Sequence, residues 1–168
     1  MTGLLARALA FRPDWFRATP PRFSGASISD VSAIATLHAA AFQRGWSEEE
    51  ITQLVLDRTV LAQRAQAGRK TVGFILSRRA ADEAEILSVA TAAYMQGRGI
   101  GRGLLDLHLR SLAGLEVNAV FLEVDEHNEP ARKLYARAGF REVARRPAYY
   151  GREGAAPAAA IVLRRDLA

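Results

Sequence analysis

The chain reads Gln96-Gly97-Arg98-Gly99-Ile100-Gly101-Arg102-Gly103 between an apolar stretch and a leucine-rich stretch. The apolar stretch, 85–91, predicts a largely buried strand, and the leucine-rich stretch from residue 100 predicts a helix that packs against a sheet. A glycine-rich turn from a strand into a helix exposes successive backbone N–H groups, which together with the helix dipole favour a phosphate or pyrophosphate group. The segment therefore predicts a strand–turn–helix unit that binds a phosphate-bearing ligand.

Residue identity excludes the two most familiar phosphate-binding loops. A Rossmann loop that begins at Gly99 would need a glycine at position 104, where the chain has Leu104. A P-loop needs a lysine after its last glycine, and this segment contains none. The remaining alternative is a glycine turn that binds nothing, which four alternating glycines at the start of a strongly apolar helix disfavour.

Outward from this segment, the pattern predicts one domain with a mixed α/β sheet. Capping boxes at 27–30 and 47–50 predict two helices near the N-terminus. Asn128 and Pro130 predict the start of a short helix that Gly139 ends. The expected order is two helices, three strands, a helix, a strand, a helix and two strands, with residues 23–168 as the domain and residues 1–22 as an N-terminal extension. The predicted strands cover 59–66, 71–78, 85–91, 117–124, 140–145 and 160–165.

Composition narrows the functional class. The chain carries a net charge of +5, contains no cysteine, and has no apolar run of the about 20 residues that a membrane-spanning helix needs. The basic residues are scattered and come without aromatic stacking platforms, so no direct nucleic-acid partner and no membrane partner are expected. His38, His108 and His127 show no ligand spacing, so no metal is expected. The cytoplasm is the default location, because no targeting segment is recognised.

The glycine segment also resembles a known loop. Residues 96–101 fit the pattern Q/R-x-x-G-x-G/A, which resembles the coenzyme A pyrophosphate loop of the GNAT acetyltransferase superfamily. The resemblance implies acetyl-CoA as co-substrate and a mostly antiparallel sheet, flanked by helices, that contains one splayed parallel pair. It also implies that the strand before the loop contacts the acetyl-pantetheine arm and that the loop holds the pyrophosphate. The residues carried over are Val89, Ala90, Thr91, Gly97, Arg98, Gly99, Ile100, Gly101 and Arg102.

A second segment resembles the same family through the pattern L-E-V…N-x-x-A…L-Y…G-F. Its residues are Leu122-Glu123-Val124, Asn128, Ala131, Leu134-Tyr135 and Gly139-Phe140. The resemblance implies that Glu123 removes the proton of the acceptor amine, that Tyr135 protonates the leaving thiolate and that Asn128 contacts the cofactor. A strand-end carboxylate and a phenol on the next helix suit those acid–base roles, and the N–H of Val89 would hold the oxyanion. The alternatives are a salt-bridged surface Glu123, a core Tyr135 and an Asn128 that only caps its helix.

Within the superfamily, the chain is similar to the ribosomal-protein alanine N-acetyltransferases. This likeness rests on Ala41-Phe42, Trp46-Ser47-Glu48, Leu122-Glu123-Val124 with Asn128, and Arg145-Arg146-Pro147-Ala148-Tyr149-Tyr150. It implies acetyl transfer to the N-terminal α-amine of a protein, such as a ribosomal protein that begins with alanine, with Tyr149 and Tyr150 on the substrate side. Two alternatives remain, a GNAT enzyme that acetylates a small-molecule amine and a non-catalytic acyl-CoA-binding regulator. The sequence leaves the oligomeric state open.

Overall fold

The computed structural model describes residues 20–147 and 159–167, which form a mixed sheet flanked by helices. In this part of the chain no helix is long and apolar enough to cross a membrane. The strands are β1 (Arg22–Gly25), β2 (Val60–Ala67), β3 (Lys70–Ala80), β4 (Glu83–Thr91), β5 (Ala119–Asp125), β6 (Arg141–Arg146) and β7 (Ala160–Asp166). The α-helices are α1 (Val31–Ala41), α2 (Glu48–Leu56), α3 (Ile100–Ala113) and α4 (Glu129–Arg137).

The sheet has the order β1-β2-β3-β4-β5-β7-β6, and its neighbours are antiparallel except for the parallel pair β4 and β5. That parallel pairing ends at Ile86 and Leu122, although β4 continues to Thr91 and β5 to Asp125. The register with β3 also skips Leu87, which is the mark of a β-bulge. The two central strands therefore separate toward their carboxyl ends, and the predicted fold class is confirmed.

Side chains cover both faces of the sheet. On one face α3 and α4 pack through the α3 cluster, which includes Ile100, Leu104, Leu105, Leu109, Leu112, Val120, Leu122, Val124 and Tyr135. On the other face α1 and α2 pack through the α1 cluster of Val31, Ile34, Ala35, Ile51, Phe74, Leu76 and Ala90. Full burial of one such side chain contributes about 1.5–3 kcal/mol. Because Leu122 and Val124 point into the α3 cluster, alternation along β5 directs Glu123 to the opposite face.

Both predicted capping boxes are present. The N–H of Glu50 donates to Ser47 Oγ at 3.2 Å, and the N–H of Ser47 donates to Glu50 Oε2 at 2.8 Å. The first box, Ser27 with Asp30, opens a single 3-10 turn from which α1 continues. Asp30 is also buried and pairs with Arg64 at 3.1 Å, so this cap ties the start of α1 to β2.

The expected element order is wrong at its beginning, because β1 precedes the first helix. β1 is four residues long and pairs antiparallel with β2 at the edge of the sheet. Its Phe23 ring lies over α3, where a Cβ added to Gly103 would come within 2.3 Å of the ring. A strand this short, exposed at three of its four residues, carries too little alternation to be recognised from its sequence.

Candidate active site

The open edge of β4 forms one wall of the candidate site. Val89, Ala90 and Thr91 pair with Ile75, Phe74 and Gly73 of β3 on one side. On the other side, the ladder between the described strands ends at Ile86, so the backbone groups that face β5 beyond this point have no strand partner. The separation leaves main-chain donors and acceptors of β4 available to bind a ligand. They lie between the apolar α3 cluster and the apolar α1 cluster.

The glycine loop leads directly into the N-terminus of α3. Gly97 and Gly99 have φ values of +74° and +78°, a conformation that side chains disfavour, and a Cβ on either would meet no atom within 4 Å. Gly103 N–H donates to Gly99 O at 2.9 Å, the first turn of the helix. The N–H groups of Ile100, Gly101 and Arg102 come before it and have no intrahelical acceptor. The loop is therefore open, and it presents the donors of a helix N-terminus.

Two further observations describe the surroundings of this loop. A Cβ on Gly101 would lie 3.4 Å from Leu134 Cδ2, so α3 starts in close contact with α4. Arg102 lies on the solvent side, and its Nε is 3.6 Å from Asp106 Oδ2. Arg98 is also exposed. The two arginines thus lie at the rim of the loop, and Arg102 already has an anionic neighbour.

Glu123 lies on β5 one residue after the last parallel pair, at the mouth of the split. Its side chain is 41% exposed, and its Oε1 is 2.8 Å from Arg146 Nη1 at the end of β6. It also lines a cavity of about 180 Å³ together with Val124, Asp125, Ala159 and Ala160. A larger cavity of about 600 Å³ lies between α4 and the strands β6 and β7 and includes neither Glu123 nor the glycine loop.

Tyr135 and Asn128 occupy the middle and the cap of α4. Tyr135 is buried, and its ring meets Phe140 edge-on at a centroid distance of 5.7 Å. Burial raises the pKa of the Tyr135 phenol to about 12, so the hydroxyl keeps its proton at neutral pH. Asn128 is exposed, and its Oδ1 accepts from the N–H of Ala131 at 3.2 Å. Tyr149 and Tyr150 lie outside the described residues.

The structure adds contacts that the sequence did not predict. Arg146 pairs with Glu123 across β7, which no spacing along the chain could indicate. Glu126 accepts from Ala159 N–H at 2.7 Å and from Arg145 Nη1 at 2.7 Å. The backbone N–H of Ala159 holds the pKa of the Glu126 carboxyl below its ordinary value. These bonds fix the end of β5 against β6 and the start of β7.

One buried polar side chain lies close to the split between β4 and β5. Ser88, two residues beyond the last parallel pair of β4, is buried, and its Oγ finds no hydrogen-bond partner within 20–147 and 159–167. The ring of Trp46 stacks on that of His38 at a centroid distance of 4.2 Å. Among the described residues no group of three His, Cys, Asp or Glu side chains is arranged to hold a metal ion.

Comparisons with known proteins agree with this geometry. The model of the acetyltransferase (GNAT) family matches residues 31–140. The [ribosomal protein bS18]-alanine N-acetyltransferase of Escherichia coli (strain K12) is 31% identical over 136 residues, which cover 79% of this chain and 91% of that protein. The crystal structure of the ribosomal-protein-S18-alanine N-acetyltransferase from Escherichia coli superposes with a TM-score of 0.80 at 25% identity, covering 88% of this chain and 94% of the other.

A more distant structure shares the fold. A protein from Salmonella typhimurium, solved with its cofactor acetyl-CoA, superposes with a TM-score of 0.80 at 16% identity. The superposition covers 89% of this chain and 95% of that one.

Proposed function

This chain belongs to the GNAT acetyltransferase family and is an acetyl-CoA-dependent N-acetyltransferase, and from that membership we propose that it acetylates the N-terminal α-amine of a protein. The proposed acceptor is a ribosomal protein that begins with alanine, by similarity to the Escherichia coli relative. The observation that carries the proposal is the split between β4 and β5 with a carboxylate, Glu123, at its mouth. Residues 23–168 are proposed as the catalytic domain and residues 1–22 as an extension.

The described residues fit acetyl-CoA. The N–H groups of Gly97, Arg98, Gly99, Ile100, Gly101 and Arg102 are proposed to hold the pyrophosphate, because the loop is open and ends in a helix N-terminus. The unpaired edge of Val89, Ala90 and Thr91 is proposed to hold the acetyl-pantetheine arm, with Asn128 as a further contact. When bound, acetyl-CoA supplies a thioester-activated acetyl group.

Glu123 is proposed as the general base. An N-terminal ammonium has a pKa near about 8, so it must lose a proton before its nitrogen can attack a carbonyl carbon. Glu123 takes that proton directly or through one water, and the N–H of Val89 stabilises the oxyanion. Tyr135 donates its proton to the departing sulfur, a role that suits a phenol kept neutral by burial. Arg146 Nη1 lies 2.8 Å from Glu123 Oε1, so the incoming amine displaces or shares that contact.

The test measures the rate at which the Glu123→Gln and Tyr135→Phe variants transfer acetyl to a peptide that begins with alanine. The release of free thiol from the cofactor is the readout. Glu123→Gln is expected to lower kcat by about a hundredfold or more, and Tyr135→Phe is expected to lower it by a smaller factor, with acetyl-CoA affinity unchanged in both. Glu85→Gln, an exposed carboxylate in the paired part of β4, is the matched control and should keep full activity. A fully active Glu123→Gln would instead make Glu123 a surface ion-pair residue.

A further inference from the structure

Asp125 lies on the same face of the sheet as Glu123, directly across from Arg146. Asp125 of β5 pairs with Ala160 of β7, and Ala160 pairs with Arg146 of β6. Residues that pair across a sheet point to the same face, and so do residues two apart on one strand. The side chains of Asp125, Glu123 and Arg146 therefore share one face, and the two carboxylates line the same cavity of about 180 Å³.

The guanidinium of Arg146 can reach either carboxylate. Its Nη1 meets Glu123 Oε1 at 2.8 Å, although Glu123 pairs with Val162, two residues farther along β7 than Ala160. Neighbouring strands are about 4.8 Å apart, so the Cα atoms of Asp125 and Arg146 are about 10 Å apart straight across β7, less than the diagonal to Glu123. That shorter separation offsets the shorter side chain of aspartate. Arg146 is also 72% exposed, so few contacts hold its side chain in place.

The two carboxylates share a single guanidinium. Glu123 has Arg146 as its partner, whereas Asp125 has no cationic partner in the part of the chain that the structure describes. The other arginines of β6 and β7 on this face both pair with Asp166, at the opposite end of β7. Within the described chain, this end of the face therefore carries one negative charge in excess, which the ammonium of an acceptor would balance.

We propose that Asp125 receives the guanidinium of Arg146 when the acceptor ammonium docks on Glu123, and that Asp125 is thereby a positioning residue that frees the base. The inference rests on the proposed function, since it requires Glu123 to receive the amine. The ammonium takes the place of Arg146 on Glu123, and Arg146 turns to Asp125. Each carboxylate then has one cation, so the exchange leaves neither a guanidinium nor a carboxylate without a partner.

The test is a double-mutant cycle on peptide binding. Calorimetry measures the Kd of a peptide that begins with alanine for the protein saturated with CoA, which carries no acetyl group to transfer. Asp125→Asn is expected to weaken binding about three- to fivefold, the size of an exposed charge interaction, because Arg146 then has no carboxylate to turn to. In the Arg146→Gln background the same substitution should change the Kd by less than about 1.5-fold, since no guanidinium has to move.

Two further variants serve as controls. Asparagine at position 125 can still accept the N–H of His127, as Asp125 Oδ1 does at 2.8 Å, so the turn after β5 is kept. Asp125→Glu restores the carboxylate and should bind the peptide within about twofold of the wild-type protein. Glu142→Gln removes a carboxylate that pairs with Arg145 and lines the cavity on the opposite face, and it should leave the Kd unchanged. The affinity for CoA should be the same in every variant.

The cycle separates an exchange of partners from a direct attraction. Equal weakening by Asp125→Asn with and without Arg146 would mean that Asp125 attracts the ammonium by itself, and this would overturn the inference. An unchanged Kd in Asp125→Asn would also overturn it and leave the proposed function standing. A wild-type protein that binds CoA but not the peptide would overturn the proposed function and this inference with it.

Discussion

Two buried serines on neighbouring strands have opposite hydrogen-bonding states. Ser77 Oγ on β3 lies 2.7 Å from His108 Nε2, so its hydroxyl is satisfied. Ser88 Oγ on β4 is equally buried and has no partner among the described residues. A buried hydroxyl without a partner costs stability, whereas a paired one contributes to it. Ser88 lies beside the split between β4 and β5.

Alanine at the two positions is expected to have different effects on the free energy of unfolding. Ser88→Ala should leave it unchanged or raise it by up to about 1 kcal/mol, because no hydrogen bond is lost. Ser77→Ala should lower it by about 1–3 kcal/mol, because His108 then keeps a buried nitrogen without its partner. Denaturant unfolding of both variants measures the difference. A clear loss in Ser88→Ala would mean that its hydroxyl is bonded in solution.

Individual residues of the site are predictable from the sequence only where a motif fixes their spacing. Glu123, Tyr135 and the glycine loop were located in this way, and their roles remain proposals. The ion pair between Arg146 and Glu123 was not predicted, because it depends on β7 lying between β5 and β6. That strand order is a property of the whole sheet, so no local pattern encodes the pair.

Among the helices, α3 depends on one close contact near its start. Gly103 leaves room for the ring of Phe23, which would lie 2.3 Å from an added Cβ. Gly103→Ala is therefore expected to lower the free energy of unfolding by about 1–3 kcal/mol through overpacking. Gly114→Ala, at the other end of the same helix, is the control, since its Cβ would meet nothing closer than 3.5 Å. Equal stability of the two variants in thermal unfolding would mean that β1 does not pack on α3.

A buried histidine fastens the middle of α3 to β2 and β3. His108 has no exposed surface, and its ring nitrogens lie 2.9 Å from Gln63 Oε1 and 2.7 Å from Ser77 Oγ. Gln63 in turn donates to Ser111 Oγ at 2.9 Å, so the chain of bonds returns to α3. Burial lowers the pKa of His108 to about 3, and the imidazole is neutral in the folded protein.

This histidine is expected to make the protein sensitive to acid. In the unfolded chain His108 binds a proton once the pH falls below its ordinary pKa of 6.5, whereas in the folded protein it stays neutral down to about pH 3. The free energy of unfolding therefore falls as the pH drops from about 6.5 toward 3. The loss of unfolding free energy between pH 7 and pH 4.5 should shrink in His108→Leu and persist in His127→Gln, an exposed histidine. Burial also lowers the pKa of His38, so part of the acid-induced loss of stability is expected to remain in His108→Leu. An undiminished loss in His108→Leu would contradict this account.

The elements themselves were mostly predictable, for identifiable reasons. Ser47 with Glu50, and Asn128 with Gly139, mark helix ends through bonds within a few residues, and these helices form as expected. β1 was missed because it is held by β2 and by Phe23 over Gly103, contacts distant in the sequence. The helices are therefore predictable from their local sequence, whereas an edge strand such as β1 is recognised only from its pairing within the sheet.

For the whole molecule, the split sheet connects fold to function. The parallel pairing of β4 and β5 ends at Ile86 and Leu122, with α1 and α2 on one face and α3 and α4 on the other. Alternating strands and helices with a glycine loop predicted this class, but the point where the strands separate follows from the bulge at Leu87 and is visible only in the register. The carboxylate of Glu123 and the phenol of Tyr135 lie on β5 and α4, the two elements that follow the glycine loop and α3 along the chain.

The most direct test of the central claim is the position of the acetyl group on a peptide that begins with alanine and contains an internal lysine. Tandem mass spectrometry after incubation with acetyl-CoA distinguishes the two amines. We predict acetylation at the α-amine by the wild-type protein and at least about a hundredfold less by Glu123→Gln. Acetylation at the lysine alone, or none at all while acetyl-CoA binds, would contradict the account.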